Sequence, residues 1–550
     1  MINIRKSKVA TLMASVVLTL SFSAIAEDNF KQAYNTMKPA KFAEYVKTLS
    51  SDKFGGRAPS SPGEAYTVEY MTKNFAALGL APGNGKLYTQ EVPLVSITST
   101  PTVDLSIGEY KFNYRSDYVV NSSKLSENIS VKNSQVVFVG YGIVAPEYDW
   151  NDYADIDVKG KTVVILVNDP GYATGDENLF TGKAMTYYGR WTYKYEEAAR
   201  QGAAGAIIVH ETKPASYGWN VVESSWTGAH FHLPTAENSP PLVDAEMWLS
   251  EEKTRMILKQ ANQDFDQLKE AAKQRGFKAV PLNMQANVAI ANQVKRSISN
   301  NILATIKGSE RPDEHIIYMA HWDHIGTKPN KQGDKIYNGA LDNATGTAGL
   351  LLLAEAFQTL KTPPKRSVTF IAVTAEEQGL LGSKFYGENP VVPLNKTVGV
   401  INMDSLNIQG LKKDLTVVGF NKSQLQNYLA IAASTQKRKL LAESAPERGG
   451  FYRSDHFSLA KKGVPAIYAG GGVEPLNDKE AKINAVVREL RKRCYHQPCD
   501  EFNENWSLKS AIADLQVFFE TGLLVANSND WPNYYEGTEF KQARDESMKN

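Results

Sequence analysis

The spacing of apolar positions divides the chain into three stretches. In residues 30–80 they recur at helical spacing: Phe42, Tyr45, Val46 and Leu49, then Tyr66, Tyr70, Phe75 and Leu78. Ser50-Ser51-Asp52 and Gly55-Gly56-Arg57-Ala58-Pro59 mark a turn between the two predicted helices. Residues 88–118 alternate apolar and polar and predict strand. In the second stretch, 133–287, runs at 135–140, 161–167 and 205–209 read as buried strands. A helix over 193–201 leads into the last run, and 256–275 reads as one charged amphipathic helix.

The third stretch holds three apolar runs of one design. Residues 315–320 end in His321-Trp322-Asp323-His324. Residues 367–374 end in Ala375-Glu376-Glu377, and 397–401 end in Asn402-Met403-Asp404. Each reads as a buried parallel strand delivering His, Asp or Glu just past its carboxyl end, where open α/β sheets place their ligands. Between the first two, Asn338-Gly339-Ala340-Leu341-Asp342-Asn343 opens an apolar helix over 348–360. The fold class expected is α/β, with a mixed, mostly parallel sheet flanked by helices. A helix over 508–527 closes it, and 531–550 is a polar tail expected to fray.

At 550 residues the chain has room for two or three domains. A net charge of +1 with 22% charged residues gives no reason to expect a nucleic-acid partner. Arg5, Lys6 and Lys8, an apolar core over 9–22 and Ala24-Ile25-Ala26 form a signal-peptide pattern over 1–26, cleaved near Ala26. A membrane anchor is the alternative reading, but the apolar run is short. No later stretch reaches the roughly 18 apolar residues of a span, so the mature chain should have none. A periplasmic or secreted location follows. Its oxidising environment makes a disulfide the expected state of Cys494 and Cys499, which sit close together.

Taken singly, the candidate residues have plain structural roles. His321 could be a satisfied histidine, Asp342 a helix N-cap, Glu376-Glu377 a solvated loop, Asp404 a turn former and His496 a surface residue. Three strand ends and one helix start at one sheet edge point instead to metal. Imidazole and carboxylate without thiolate suit zinc in a hydrolytic site. Two histidines and three carboxylates are too many for one tetrahedral ion. They fit two Zn²⁺ ions with a shared carboxylate, able together to hold a hydroxide and polarise a carbonyl.

His321-Trp322-Asp323-His324, Asn338 through Asp342-Asn343, Ala375-Glu376-Glu377, Asn402-Met403-Asp404, Ser454-Asp455-His456 and Tyr495-His496 through Asp500 occur in order over 301–527. In these segments the chain resembles the co-catalytic dizinc aminopeptidases of the bacterial leucyl aminopeptidase and aminopeptidase Y type. Lys159-Gly160-Lys161 and the run 198–209 resemble phrases of the protease-associated (PA) domain inserted in some members. The resemblance implies a zinc exopeptidase fold with an inserted β-rich PA domain. It divides the chain into a signal peptide 1–26, an amino-terminal part 27–132, a PA unit 133–287, a catalytic domain 288–530 and a tail 531–550.

It also implies roles. His321 and Asp404 would hold one zinc, Glu377 and His496 the other, with Asp342 bridging. Glu376 would be the general base, and Asp323 would orient His321. The Asp342-Asn343 peptide would be cis. The activity implied is removal of the N-terminal residue from peptides with a free N-terminus, with oligomeric state left open.

Two readings compete: a dizinc exopeptidase of the glutamate-carboxypeptidase type, and a non-catalytic binding protein of the transferrin-receptor type. The second requires lost ligands, and none is lost. A glutaminyl cyclase is also conceivable, but its members lack the inserted unit. Arg190 and Arg453 are the candidates for a carboxylate-reading fork, as the carboxypeptidase reading needs. Ser454-Asp455-His456 reads as pocket wall rather than a catalytic triad, and His324, His456, His210, His230, His232 and His315 are not expected to be ligands.

Overall fold

The computed structural model describes residues 30–234 and 240–549. The expected signal peptide lies outside the described residues. No helix among those described is long and apolar enough to cross a membrane.

The amino-terminal helices form as their spacing predicts. α1 (Pro39–Leu49) starts on a proline and buries Phe42, Tyr45, Val46 and Leu49. α2 (Pro62–Ala77) is capped by Ser61, whose side chain accepts from Gly63 N and Glu64 N. β1 (Thr89–Ile107) follows, then β2 (Tyr118–Asn121), β3 (Asn128–Phe138) and β4 (Thr162–Leu166). α3 (Trp191–Arg200) leads into β5 (Gly205–His210), and β6 is Ala245–Ser250.

The single helix expected over 256–275 is two, α4 (Glu251–Gln260) and α5 (Phe265–Ala272). Asn262 takes a left-handed φ of 55°, which ends the first helix. Asp264 then caps the second, its carboxylate accepting from Gln267 N at 2.9 Å.

The longest strand, β7 (Val280–Ile306), joins the two halves of the molecule. It pairs antiparallel with β1 from Ile302–Thr89 to Ala286–Ile107. Its amino-terminal part also pairs with β3 and its carboxyl end with β9 (Arg366–Val373). The remaining strands of the carboxyl-terminal half are β8 (Arg311–His321), β10 (Thr397–Asn402), β11 (Asp414–Val418), β12 (Lys439–Ala442) and β13 (Ala466–Gly471).

The order across the sheet is β12-β11-β13-β10-β8-β9-β7-β3-β4-β5-β6-β2. β8, β9, β10 and β13 are mutually parallel, and so are β3, β4, β5 and β6. The overall class is the mixed α/β sheet expected. Residues 132/133 and 287/288 both fall within strands, β3 and β7, because the alternating pattern runs on through them.

α6 (Thr345–Gln358), α7 (Leu425–Thr435) and α9 (Leu508–Asn527) share the apolar layer under the carboxyl-terminal half with α1 and α2. α8 (Asp478–Cys494) is more exposed, burying Val487 and Cys494. The opposite layer is continuous from β2 and β3 to Phe451, Tyr452 and Phe540, so both halves share one core. The segment after 531 does not fray. The Tyr534 hydroxyl donates to Val464 O at 2.7 Å, and Phe540 stacks on Phe451. Its polar composition hid these two aromatic anchors.

Candidate metal centre

Each expected site residue lies just beyond the element that carries it. His321 ends β8. Asp342 lies in the turn Ala340–Ala344 ahead of α6, and Glu376 and Glu377 follow β9. Asp404 follows β10, and His496 follows α8. The Asp342-Asn343 peptide is cis.

These turns are tied to one another by hydrogen bonds. The Asn343 amide donates to Met403 O at 2.9 Å and accepts from Gly346 N and Ser405 N at 2.8 and 3.1 Å. That joins the Asp342 turn to the Asp404 loop. The Asp500 carboxylate accepts from Leu341 N and Asp342 N at 3.0 and 3.1 Å, joining the same turn to the His496 segment. A Cβ on Gly346 would lie 2.6 Å from Met403 O, so this approach requires glycine. Cys494 and Cys499 form a disulfide across His496.

Arg57, read from the sequence only as part of a turn, is the largest addition. Its guanidinium is buried and donates to Trp322 O, Leu49 O, Asn338 O and Gly339 O at 2.6–2.8 Å. One side chain thereby fixes the segments that carry His321 and Asp342. Burial lowers its pKa to about 10, against the pull of Asp500, Asp323 and Asp342. The signal available was a lone arginine between Gly56 and Ala58, which nothing in composition separates from a surface turn.

The donor atoms converge in two groups that share Asp342. His321 Nε2 lies 3.4 Å from Asp342 Oδ1 and 3.6 Å from Asp404 Oδ1. His496 Nε2 lies 3.1 Å from Asp342 Oδ2 and 3.2 Å from Glu377 Oε2. Around a tetrahedral zinc with bonds of about 2.0–2.2 Å, neighbouring ligand atoms stand about 3.3–3.5 Å apart. Four independent separations of this size fit two ions. His321 Nε2 is buried without any hydrogen-bond partner, as a ligand atom should be.

The electrostatics agree. Burial alone would lower the His321 pKa, but Glu376, Asp342 and Asp404 hold it well above its ordinary value. Burial likewise works against ionisation of Asp342, yet His321 and His496 hold it well below the carboxylate range. Glu376 is pushed well above that range by burial, helped by the charges of Asp404, Asp455 and Glu377 and opposed by His321. So many acids in a dry site call for bound cations.

Two residues differ from expectation. The Asp323 carboxylate is turned to the main chain of the glutamate pair, accepting from Glu376 N at 3.0 Å and Glu377 N at 3.3 Å. Its carbonyl, not its carboxylate, is the nearer partner of His321 Nδ1, at 3.1 against 3.8 Å. His324, not expected to be a ligand, joins Asp342 and Glu377 in a group tight enough to hold an ion. Ser454 and His456 are buried behind Asn402, whose amide donates to Ser454 Oγ at 2.7 Å. His210, His230 and His315 instead contact Tyr217 O, Asn121 and Thr369.

A carboxylate and imidazole centre at the ends of parallel strands is of the metal-dependent hydrolase kind. Residues 301–519 match the family model "Peptidase family M28". The chain is 38% identical over 104 residues to a "Probable zinc metalloprotease" of Pyrenophora tritici-repentis, covering 19% of this chain and 23% of that one. It is 26% identical over 257 residues to "Aminopeptidase Y" of Saccharomyces cerevisiae, covering 46% and 43%. The matched stretches thus span less than half of either relative. Among solved structures, the aminopeptidase from Aneurinibacillus sp. strain AM-1 aligns at a TM-score of 0.48 and 21% identity, over 90% of this chain and 95% of that one.

Proposed function

We propose that this chain is a zinc aminopeptidase that removes the N-terminal residue of peptides, using two zinc ions. The carrying observation is the pair of donor groups sharing Asp342. His321, Asp404 and Asp342 would hold one ion, and His496, Glu377 and Asp342 the other. Two zinc ions so placed supply a polarised carbonyl and a water acidic enough to attack it at neutral pH. Glu376 is the general base. It is not among the residues that hold either ion, and its Oε2 lies 3.9 Å from His321 Nε2. Lying beside both donor groups and held by neither, it is placed to take the water's proton and return it to the leaving amine. Asp323 fixes the main chain of both glutamates, keeping base and ligand in their separate places.

The His496 side chain is 36% exposed and that of His321 1%, so the substrate enters over the His496 position. The 133–287 unit, read as an inserted PA domain, would limit access to short peptides. A signal-type start and a disulfide favour a periplasmic or secreted enzyme. The test is release of amino acid from paired peptides. A free N-terminus should permit cleavage and an acetylated one abolish it, while C-terminal amidation should matter little. The reverse pattern would overturn the aminopeptidase reading in favour of a carboxypeptidase.

A further inference from the structure

His324 is fully buried, and its Nδ1 lies 2.5 Å from Glu377 Oε1. Neither atom has a hydrogen bond elsewhere. The ring sits in a slot that only glycine opens. Gly339 has φ 54°, and a Cβ there would stand 2.5 Å from His324 Cγ and 2.6 Å from Cδ2. The protein therefore builds a place for this imidazole beside one oxygen of Glu377, while the other oxygen faces His496.

Two roles fit such a place, and distance separates them. If His324 were itself a ligand, Nδ1 and Oε1 would be neighbouring ligand atoms, about 3.3 Å apart like the pairs described above. The 2.5 Å observed is short even for a charge-assisted hydrogen bond, and far short of a ligand–ligand edge. Glu377 Oε2, 3.2 Å from His496 Nε2, has the ligand separation. We propose that His324 is a positioning residue: it holds Oε1 of Glu377, so that this glutamate offers a single oxygen, Oε2, to the second ion. The proposal rests on the dizinc reading but not on which peptide is cut.

The experiment uses the full chain, zinc competition against a chromophoric chelator, and X-ray absorption at zinc. Wild type should bind two zinc ions with an average of about one imidazole per ion, because His324 is not a ligand. His324→Ala should keep that average but bind one of its two ions roughly 10–100-fold more weakly, as loss of a partner behind a ligand does. His324→Asn, whose Nδ2 takes the place of Nδ1 and can still donate to Oε1, should recover part of the loss, which a merely space-filling role would not allow. Unchanged zinc affinity in His324→Ala would overturn the proposal. So would a wild-type average near one and a half imidazoles per ion, which would make His324 a ligand. The wild-type spectrum decides even if His324→Ala does not fold. A wild-type chain that binds no zinc would sink the dizinc reading itself, a distinguishable failure.

Discussion

The molecule carries one sheet with two parallel halves on either side of one spine, β7, and both halves bury charge beside their strands. In the 133–287 half the buried charged groups include Asp152, Asp169 and Lys194. Asp169 accepts from Tyr172 N, Thr186 N and Thr186 Oγ1, and Asp152 from Ile143 N and Trp150 Nε1. Lys194 donates to Tyr141 O at 2.7 Å. In the catalytic half, His321 Nε2 and His324 Nε2 have no hydrogen bond. Burial and charge are alike in the two places. What differs is that the protein satisfies the Asp152, Asp169 and Lys194 groups itself. The satisfied trio is structural, and the unsatisfied cluster is held open for something else.

The largest expected effect is on Asp342, the residue common to both donor groups. Asp342→Asn should weaken both ions and take peptidase activity below detection, whereas Asp169→Asn should leave zinc content at two. Elemental analysis after gel filtration compares them. Full zinc content in Asp342→Asn would remove the bridge from the proposed site.

Next come the adjacent glutamates. Glu376→Gln should keep two zinc ions while lowering kcat by roughly 10²–10⁴-fold. Glu377→Gln should lose one ion. Zinc loss from the first variant with none from the second would show the two roles to be exchanged.

The site strands were legible because parallel strands covered on both faces read as unbroken apolar runs, and their ends then name the site. β8, β9 and β10 each stop within two or three residues of a candidate ligand or base. Long-range satisfaction was not legible. Arg57 bonds carbonyls at positions 322, 338 and 339, and no local pattern records that. His324 looked like an extra histidine because its meaning depends on a glutamate that follows another strand. The extent of β7 was hidden for the opposite reason: a uniform alternation gives no sign of where one sheet half ends.

Arg57 and Lys194 are buried cations in the two halves, and both donate to carbonyls. Arg57→Leu strips donors from four carbonyls in three segments and should lower stability by about 3–5 kcal/mol. Arg57→Lys should restore little of it, because an ammonium cannot reproduce the planar fork. Lys194→Met removes one hydrogen bond and should cost less. Urea unfolding of the zinc-loaded proteins measures all three. Equal losses for Arg57→Leu and Lys194→Met would mean that Arg57 is no more than a structural cation like its counterpart.

The smallest expected effect is a pH dependence confined to the satisfied half. Burial pushes the Asp152 carboxyl up to about 7, although Ile143 N and Lys194 favour its ionised form. The unfolded chain releases this proton near pH 4. Between about pH 4 and pH 7 the folded state therefore holds a proton that the unfolded state has lost. Stability contributed by this group falls as pH rises through that window and levels off above it. Asp152→Asn presents an amide of the same shape that never ionises. It loses one acceptor beside Ile143 N or Trp150 Nε1, an offset that does not change with pH. The difference in melting temperature between wild type and Asp152→Asn should accordingly move in the variant's favour from pH 4.5 to pH 7, by a few degrees in all. Zinc must be kept saturating, so that ligand titration in the other half is common to both proteins. A difference that stays constant over that range would show that the hydrogen bonds to Asp152 fully offset its burial.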